Sequence, residues 1–322
     1  MTLEGQPTYF SKIDIMRILA CIAVVVIHVT ATPVVSLIPN TTLQIGFLIL
    51  NRLAKPSVPI FIFISGYLAY RPESPFKLQT YLLKLRRLAL PYIVWTCVYY
   101  ALFIKIAQYP ISPSFLLKHL FVGDMVYHLY FMIIIIQFSL LTPILIKLSN
   151  TIGIHKLFVL ATILQFGLGF HYYPYQDRIF LTYIAYYVAG FWIRSLERPL
   201  YRSSLVLSFI FLGTLYTYVS YLSMNLNLML SGGLVASTYS AYSLISCFAL
   251  FVLIPNSNIG YRMKKLSKST EFIYYAHPLM LMLSSALILR LSISSISGEA
   301  LLSALLVFFV LTPIAYVVTK SK

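Results

Sequence analysis

The chain has 322 residues, of which 60% are hydrophobic and only 10% charged, with 24 Lys and Arg against 8 Asp and Glu. That balance excludes a soluble domain and predicts an all-α integral membrane protein crossing the bilayer repeatedly. The net charge of +16 does not point to a nucleic-acid partner, because the basic residues fall in short clusters between apolar runs, as membrane topology demands.

The first apolar stretch, KIDIMRILACIAVVVIHVTA over 12–31, carries Asp14, Arg17 and His28. Eleven residues of helix bring His28 back to within about 20° of Arg17, and Asp14 lies one turn from Arg17. One stripe therefore shows a carboxylate, a guanidinium and an imidazole spread over about 20 Å. Ionisable groups at that depth are costly and mark a functional site by default. The structural alternative is a buried Asp14–Arg17 pair and a satisfied histidine. Arg17, His28 and the lack of a small-residue cleavage site argue for a retained helix rather than a signal peptide.

The second apolar stretch carries Asn51, Arg52 and Lys55 toward its outer end, then Pro56 and Pro59. Proline removes backbone hydrogen bonds and kinks a membrane helix. Arg52 and Lys55 either snorkel to the outer surface or face a substrate. Ser65 and Gly66 lie deeper, where small residues allow close helix approach. In the loop that follows, Lys84, Arg86 and Arg87 are either positive-inside anchors or a cradle for the phosphates of a soluble donor.

Asp124 and His128 approach the outer face before the fourth span, beside aromatic residues. The segment HYYPYQDR places tyrosines where an interface, or a sugar, favours them. The ninth span starts near Glu271, with His277 one to two turns deeper and Pro278 next to it. Cys21, Cys97 and Cys247 have no metal-ligand spacing and read as buried packing residues, so no metal site is expected. There is no Walker loop, GxSxG elbow or internal repeat.

About ten spans are expected, near 13–31, 44–70, 88–108, 128–147, 154–171, 179–195, 204–222, 233–254, 272–290 and 300–318, all helical because lipid cannot satisfy backbone groups. With a cytoplasmic N-terminus, seventeen Lys and Arg fall in inner segments and four (Lys105, Lys118, Arg178 and Arg290) in outer ones. This asymmetry predicts that both termini are cytoplasmic. No polar linker divides the runs, so a single domain over 1–322 is expected.

Five segments in order resemble the acyltransferase-3 family of integral membrane acyltransferases: IDIMRILACIAVVVIH, VPIFIFISGYL, KLRRLALPY, HLYFMIIIIQFSLLTPIL and EFIYYAHPL. The chain looks especially like the short, single-domain members that O-acetylate enterobacterial common antigen. Relatives usually read HLWF where this chain has HLYF at 128–131; an aromatic is retained.

The resemblance implies a multi-pass protein of the bacterial inner membrane. It would carry an acyl group, most simply acetyl, from cytoplasmic acyl-CoA to a hydroxyl of a cell-surface polysaccharide or its lipid-linked precursor. Acyl-CoA is then a substrate, and no bound cofactor is expected. The family's catalytic arginine and histidine match Arg17 and His28, with Asp14 orienting Arg17. Its SGY segment matches Ser65 to Tyr67, and its donor-meeting basic segment matches Lys84, Arg86 and Arg87. Arg52, Lys55, Ser65, Tyr67, His128 and His277 join those three as expected substrate-binding residues. Larger relatives add an extracytoplasmic SGNH hydrolase-like domain. None is expected here, so the membrane domain would act alone or hand its acyl group to a separate protein. The rival reading is a polysaccharide exporter without acyl-transfer chemistry, which the lack of an inverted repeat weakens.

Overall fold

The computed structural model describes residues 11–73, 77–171, 173–197, 200–226, 232–256, 260–291 and 295–319. Their regular structure is all helical, with no strand among the described residues. Among the described residues, eight helical segments are long and apolar enough to cross a membrane. The chain divides into two compact units. One comprises Met1–Phe61, Pro199–Leu230 and Ala241–Lys322; the other comprises Ile62–Arg198 and Ser231–Ser240.

The first unit is built on α1 (Ser11–Ser36) and α11 (Tyr261–Leu291). Three contacts, in the same order along both helices, set them side by side in the same direction. Ser267 Oγ donates to Asp14, the Cys21 thiol approaches the Thr270 carbonyl at 3.9 Å, and the His28 and His277 rings stack. Asp14, Cys21 and His28 are seven residues apart, the repeat that keeps one face of a helix against a neighbour. Helix α2 (Thr42–Ala54) packs on α1 and on α9 (Arg202–Asn225). Gln44 and Asn225 tie α2 to α9 by reciprocal side-chain amide bonds of 3.1 and 2.8 Å. Helix α12 (Ile296–Leu305) leads through a π-helical stretch, Leu306–Leu311, into α13 (Thr312–Val318). The stretch sits where Pro313 cannot donate to the preceding turn, and Thr312 Oγ1 donates back to Val307 O at 3.1 Å.

The second expected span is kinked, and Thr42–Ala69 remains one membrane-length helical segment. Helix α2 stops at Ala54, and α3 (Ser57–Ala69) starts after a break at Lys55 and Pro56. Pro59 falls in the first turn of α3, where a missing N–H costs little.

The second unit contains the rest of α3 with α4 (Leu78–Ile106), α5 (Pro113–Val122), α6 (Tyr130–Ile152), α7 (Ile154–Leu168) and α8 (Ile184–Ser195). Helix α10 (Gly232–Leu253) starts here and continues in the first unit. The α3–α8 crossing is set by glycine. A Cβ on Gly66 would lie 2.1 Å from Tyr187 O, and one on Gly190 would lie 2.3 Å from Phe63 O. These helices meet backbone to backbone, as small residues permit in membranes. The packing role expected of Gly66 is its role here.

Three expected elements differ in length. Helix α4 begins ten residues before the expected third span, and its 29 residues cover about 43 Å, longer than the hydrocarbon layer. Lys84, Arg86 and Arg87 therefore stand on its exposed first turns, not in a loop. The expected fifth span is the 15-residue α7, and the sixth is the 12-residue α8. Helix α8 is preceded by 3₁₀ turns at Gln176–Arg178 and Phe180–Tyr183, and every residue from Ile184 to Phe191 is buried. Irregular backbone at membrane depth survives only when protein covers it. The expected cytoplasmic ends concern residues 1–10 and 320–322, which lie outside the described residues.

Candidate active site

Helix α1 carries the site because its apolar repeat fixes which face meets α11. At one end Asp14, buried, accepts from Ser267 Oγ. The Arg17 guanidinium stands 3.6 Å from the same carboxylate oxygen. That pair lies within one turn of one helix, and the hydroxyl from α11 fixes the carboxylate orientation. Glu271, one turn further along α11, lies within electrostatic reach of Arg17.

Eleven residues separate Arg17 from His28, which is about 16 Å of helix. The two share a stripe but cannot touch one atom together. His28 instead meets His277: the ring centroids are 5.2 Å apart and the planes 25° from parallel. His277 is fully buried. Its Nδ1 lies 2.7 Å from Tyr274 O and 3.3 Å from Ile273 O. Carbonyl oxygens only accept, so Nδ1 carries the proton and, in the neutral ring, Nε2 carries the lone pair.

Helix α2 closes this end. The Asn51 amide donates to Ile27 O at 3.0 Å and to Thr30 Oγ1 at 2.9 Å, on either side of His28. Its oxygen accepts from Arg52 Nη1 at 2.7 Å. Asn51 thereby pins α2 to the histidine-bearing turn of α1 and points Arg52. Lys55, one turn on, lies within electrostatic reach of both Arg52 and His28.

Asp14, Arg17, His28, Arg52, Lys55 and His277 thus all belong to the first unit. The remaining expected residues belong to the second. Gly66 between Ser65 and Tyr67 forms the α3–α8 crossing. The Tyr67 ring lies under the Arg194 guanidinium at 5.3 Å, and its carbonyl accepts from Arg194 at 2.9 Å. Lys84, Arg86 and Arg87 are exposed on α4. His128 is buried, edge-on to Tyr99 at 5.8 Å. Asp124 pairs with His119.

Sequence reasoning missed Thr30 and Ser267, whose roles appear only once α1 has neighbours. It noted Asn51 without giving it a role; an amide inside an apolar run was the available signal. Among the described residues no cluster of His, Cys, Asp and Glu could hold a metal ion.

The arrangement offers a cation and carboxylate at one end of a helix pair, two imidazoles at the other, and two further cations beside them. A family model described as an acyltransferase domain, Acyl_transf_3, matches residues 10–320. Neither curated proteins nor solved structures give a match to the chain.

Proposed function

The chain belongs to the acyltransferase-3 family, and on that premise we propose that it is a membrane O-acetyltransferase of the type that modifies enterobacterial common antigen. The donor is cytoplasmic acetyl-CoA. The acceptor is a hydroxyl of a cell-surface glycan or its lipid-linked precursor, and the protein works in the bacterial inner membrane.

The observation that supports this most is the spacing of Arg17 and His28 on one face of α1, with His28 stacked on His277. Coenzyme A is long and carries its phosphates far from its thioester. Arg17, oriented by Asp14, holds a donor phosphate at one end, while His28 stands about 16 Å away at the thioester. Arg forks suit phosphate oxygens, and imidazole takes protons near neutral pH.

In the reaction the acceptor hydroxyl oxygen attacks the thioester carbonyl. A C–O bond forms and the C–S bond breaks. The hydroxyl proton passes to His28 and from there to the departing thiolate, so the enzyme ends as it began. In the second unit, Lys84, Arg86 and Arg87 stand exposed on α4, a cluster suited to an anionic partner.

The test is transfer of radiolabel from acetyl-CoA to a lipid-linked glycan by the full chain in lipid vesicles. Label should enter the glycan with wild type and not with His28→Ala at matched membrane levels. If no acetyl-CoA is consumed while glycan crosses the bilayer, the protein is an exporter and this reading fails.

A further inference from the structure

The break between α2 and α3 holds positive charge that no described carboxylate answers. The Arg52 guanidinium meets the Asn51 amide oxygen and the Met224 thioether; the first is neutral and the second a weak acceptor. Its Nε is buried with no hydrogen-bond partner. Lys55 follows one turn later, so two cations stand at a spacing where like charges repel. The ion pairs described for Asp14, Asp124 and Asp177 go to Arg17, His119 and Arg178.

One independent feature lies at the same kink, where the helix runs on from α2 into α3 and the Ile60 N–H donates to Pro56 O at 2.9 Å. Ser57 itself is 0% exposed, and its hydroxyl oxygen is buried with no hydrogen-bond partner. A buried hydroxyl, a buried guanidinium nitrogen and an ammonium are all donors, and all want an acceptor rich in negative charge.

We propose that Arg52, Lys55 and Ser57 form a binding site for a phosphate or diphosphate ester beside His28. Asn51 aims Arg52 into it while holding α2 to the His28 turn of α1. This rests on the acyltransferase reading for the substrate's identity but not for the site's existence. Arg17 already serves the donor phosphates about 16 Å away along α1. The ester at Arg52 and Lys55 is therefore that of the lipid-linked acceptor, whose diphosphate would bring a sugar hydroxyl to His28.

The experiment measures binding to the full chain in nanodiscs, with three probes: farnesyl diphosphate, coenzyme A and inorganic pyrophosphate. Arg52→Gln with Lys55→Met, and separately Ser57→Ala, should each weaken farnesyl diphosphate and pyrophosphate binding by about tenfold or more, the worth of a charged hydrogen bond. Coenzyme A affinity should stay within about twofold, well inside a single tenfold step. If instead coenzyme A alone weakens, the site holds a phosphate ester from the donor. If all three probes bind the variants as they bind wild type, the two cations only reach the outer surface and the proposal is overturned. Ser57→Ala removes a single oxygen from a correctly packed helix, so its result does not depend on the double variant folding. Diphosphate binding without any acetyl transfer would sink the function and leave the site; transfer with unchanged variant KM values would do the reverse.

Discussion

His277 Nδ1 donates to the carbonyl of Tyr274 at 2.7 Å, the carbonyl that Pro278 leaves without its helical partner. An ordinary residue at 278 would donate its own N–H to that oxygen, four residues back. Pro278 has none, so the acceptor is open to the neighbouring imidazole. The Pro278 imino ring, which at first sight only kinks α11, thus fixes the proton on one nitrogen of His277 and the orientation of the ring stacked on His28.

Pro278→Ala should therefore lower kcat by about tenfold while changing KM little, the pattern of a lost transition-state contact. Alanine favours helix over proline, so stability should not fall. Nitrogen-15 spectra of labelled histidine should show a single Nδ1-protonated form for His277 in wild type and a mixture in the variant. A single unchanged tautomer with unchanged kcat would show that Pro278 matters only for helix shape.

Arg17→Lys should lose most of the transfer that Arg17→Ala loses, because a point charge does not replace a planar fork on phosphate. Asp14→Asn keeps a group that can accept from Ser267 but removes the charge facing Arg17. It should raise the KM for acetyl-CoA by about tenfold at most, the range of a partly exposed ion pair. Steady-state kinetics on purified variants decide both. Full activity in Arg17→Lys would mean that charge alone is used.

Gly66→Ala and Gly190→Ala should each destabilise the second unit by about 3 kcal/mol or more, the upper end of overpacking. The obstacle at each is a backbone carbonyl, at 2.1 and 2.3 Å from the added carbon, which cannot rotate away as a side chain would. Thermal unfolding in detergent measures this. Gly46→Ala, which meets nothing within 4 Å and lies within α2, serves as the control and should not lower the midpoint.

Neutralising Arg86 and Arg87 together should weaken coenzyme A binding and flatten its salt dependence, because both are exposed and exposed charge is screened over about 8 Å at physiological ionic strength. A reporter fused after Lys322 should stay cytoplasmic in wild type and variant. Unaltered donor binding with an altered reporter position would assign this pair to topology alone.

The long helices were legible because an 18-residue apolar run leaves the backbone no other choice. The α1 stripe was legible for the same reason: charged residues in such a run are few, and helical geometry alone puts Asp14, Arg17 and His28 on one side. What faces the stripe was not. Ser267 lies in a polar stretch before the apolar part of α11, and nothing in its neighbours marks it as the partner of Asp14. The stacking of His277 on His28 depends on the register of two helices nearly 250 residues apart in sequence. The amphiphilic start of α4 read as a loop because its cations interrupt the apolar run, although Lys and Arg are good helix formers.

The burial of α8 bears on how the protein is made. Twelve residues reach about 18 Å, well short of the roughly 30 Å hydrocarbon layer. Such a segment cannot partition into lipid on its own hydrophobicity, and the turns before it would leave backbone groups unsatisfied there. It needs a groove already waiting. The groove is shared by α7 and α3, whose Gly66 is synthesised well over a hundred residues before Gly190. Membrane entry of α8 is thus a docking event, timed by an earlier helix and templated by a missing side chain.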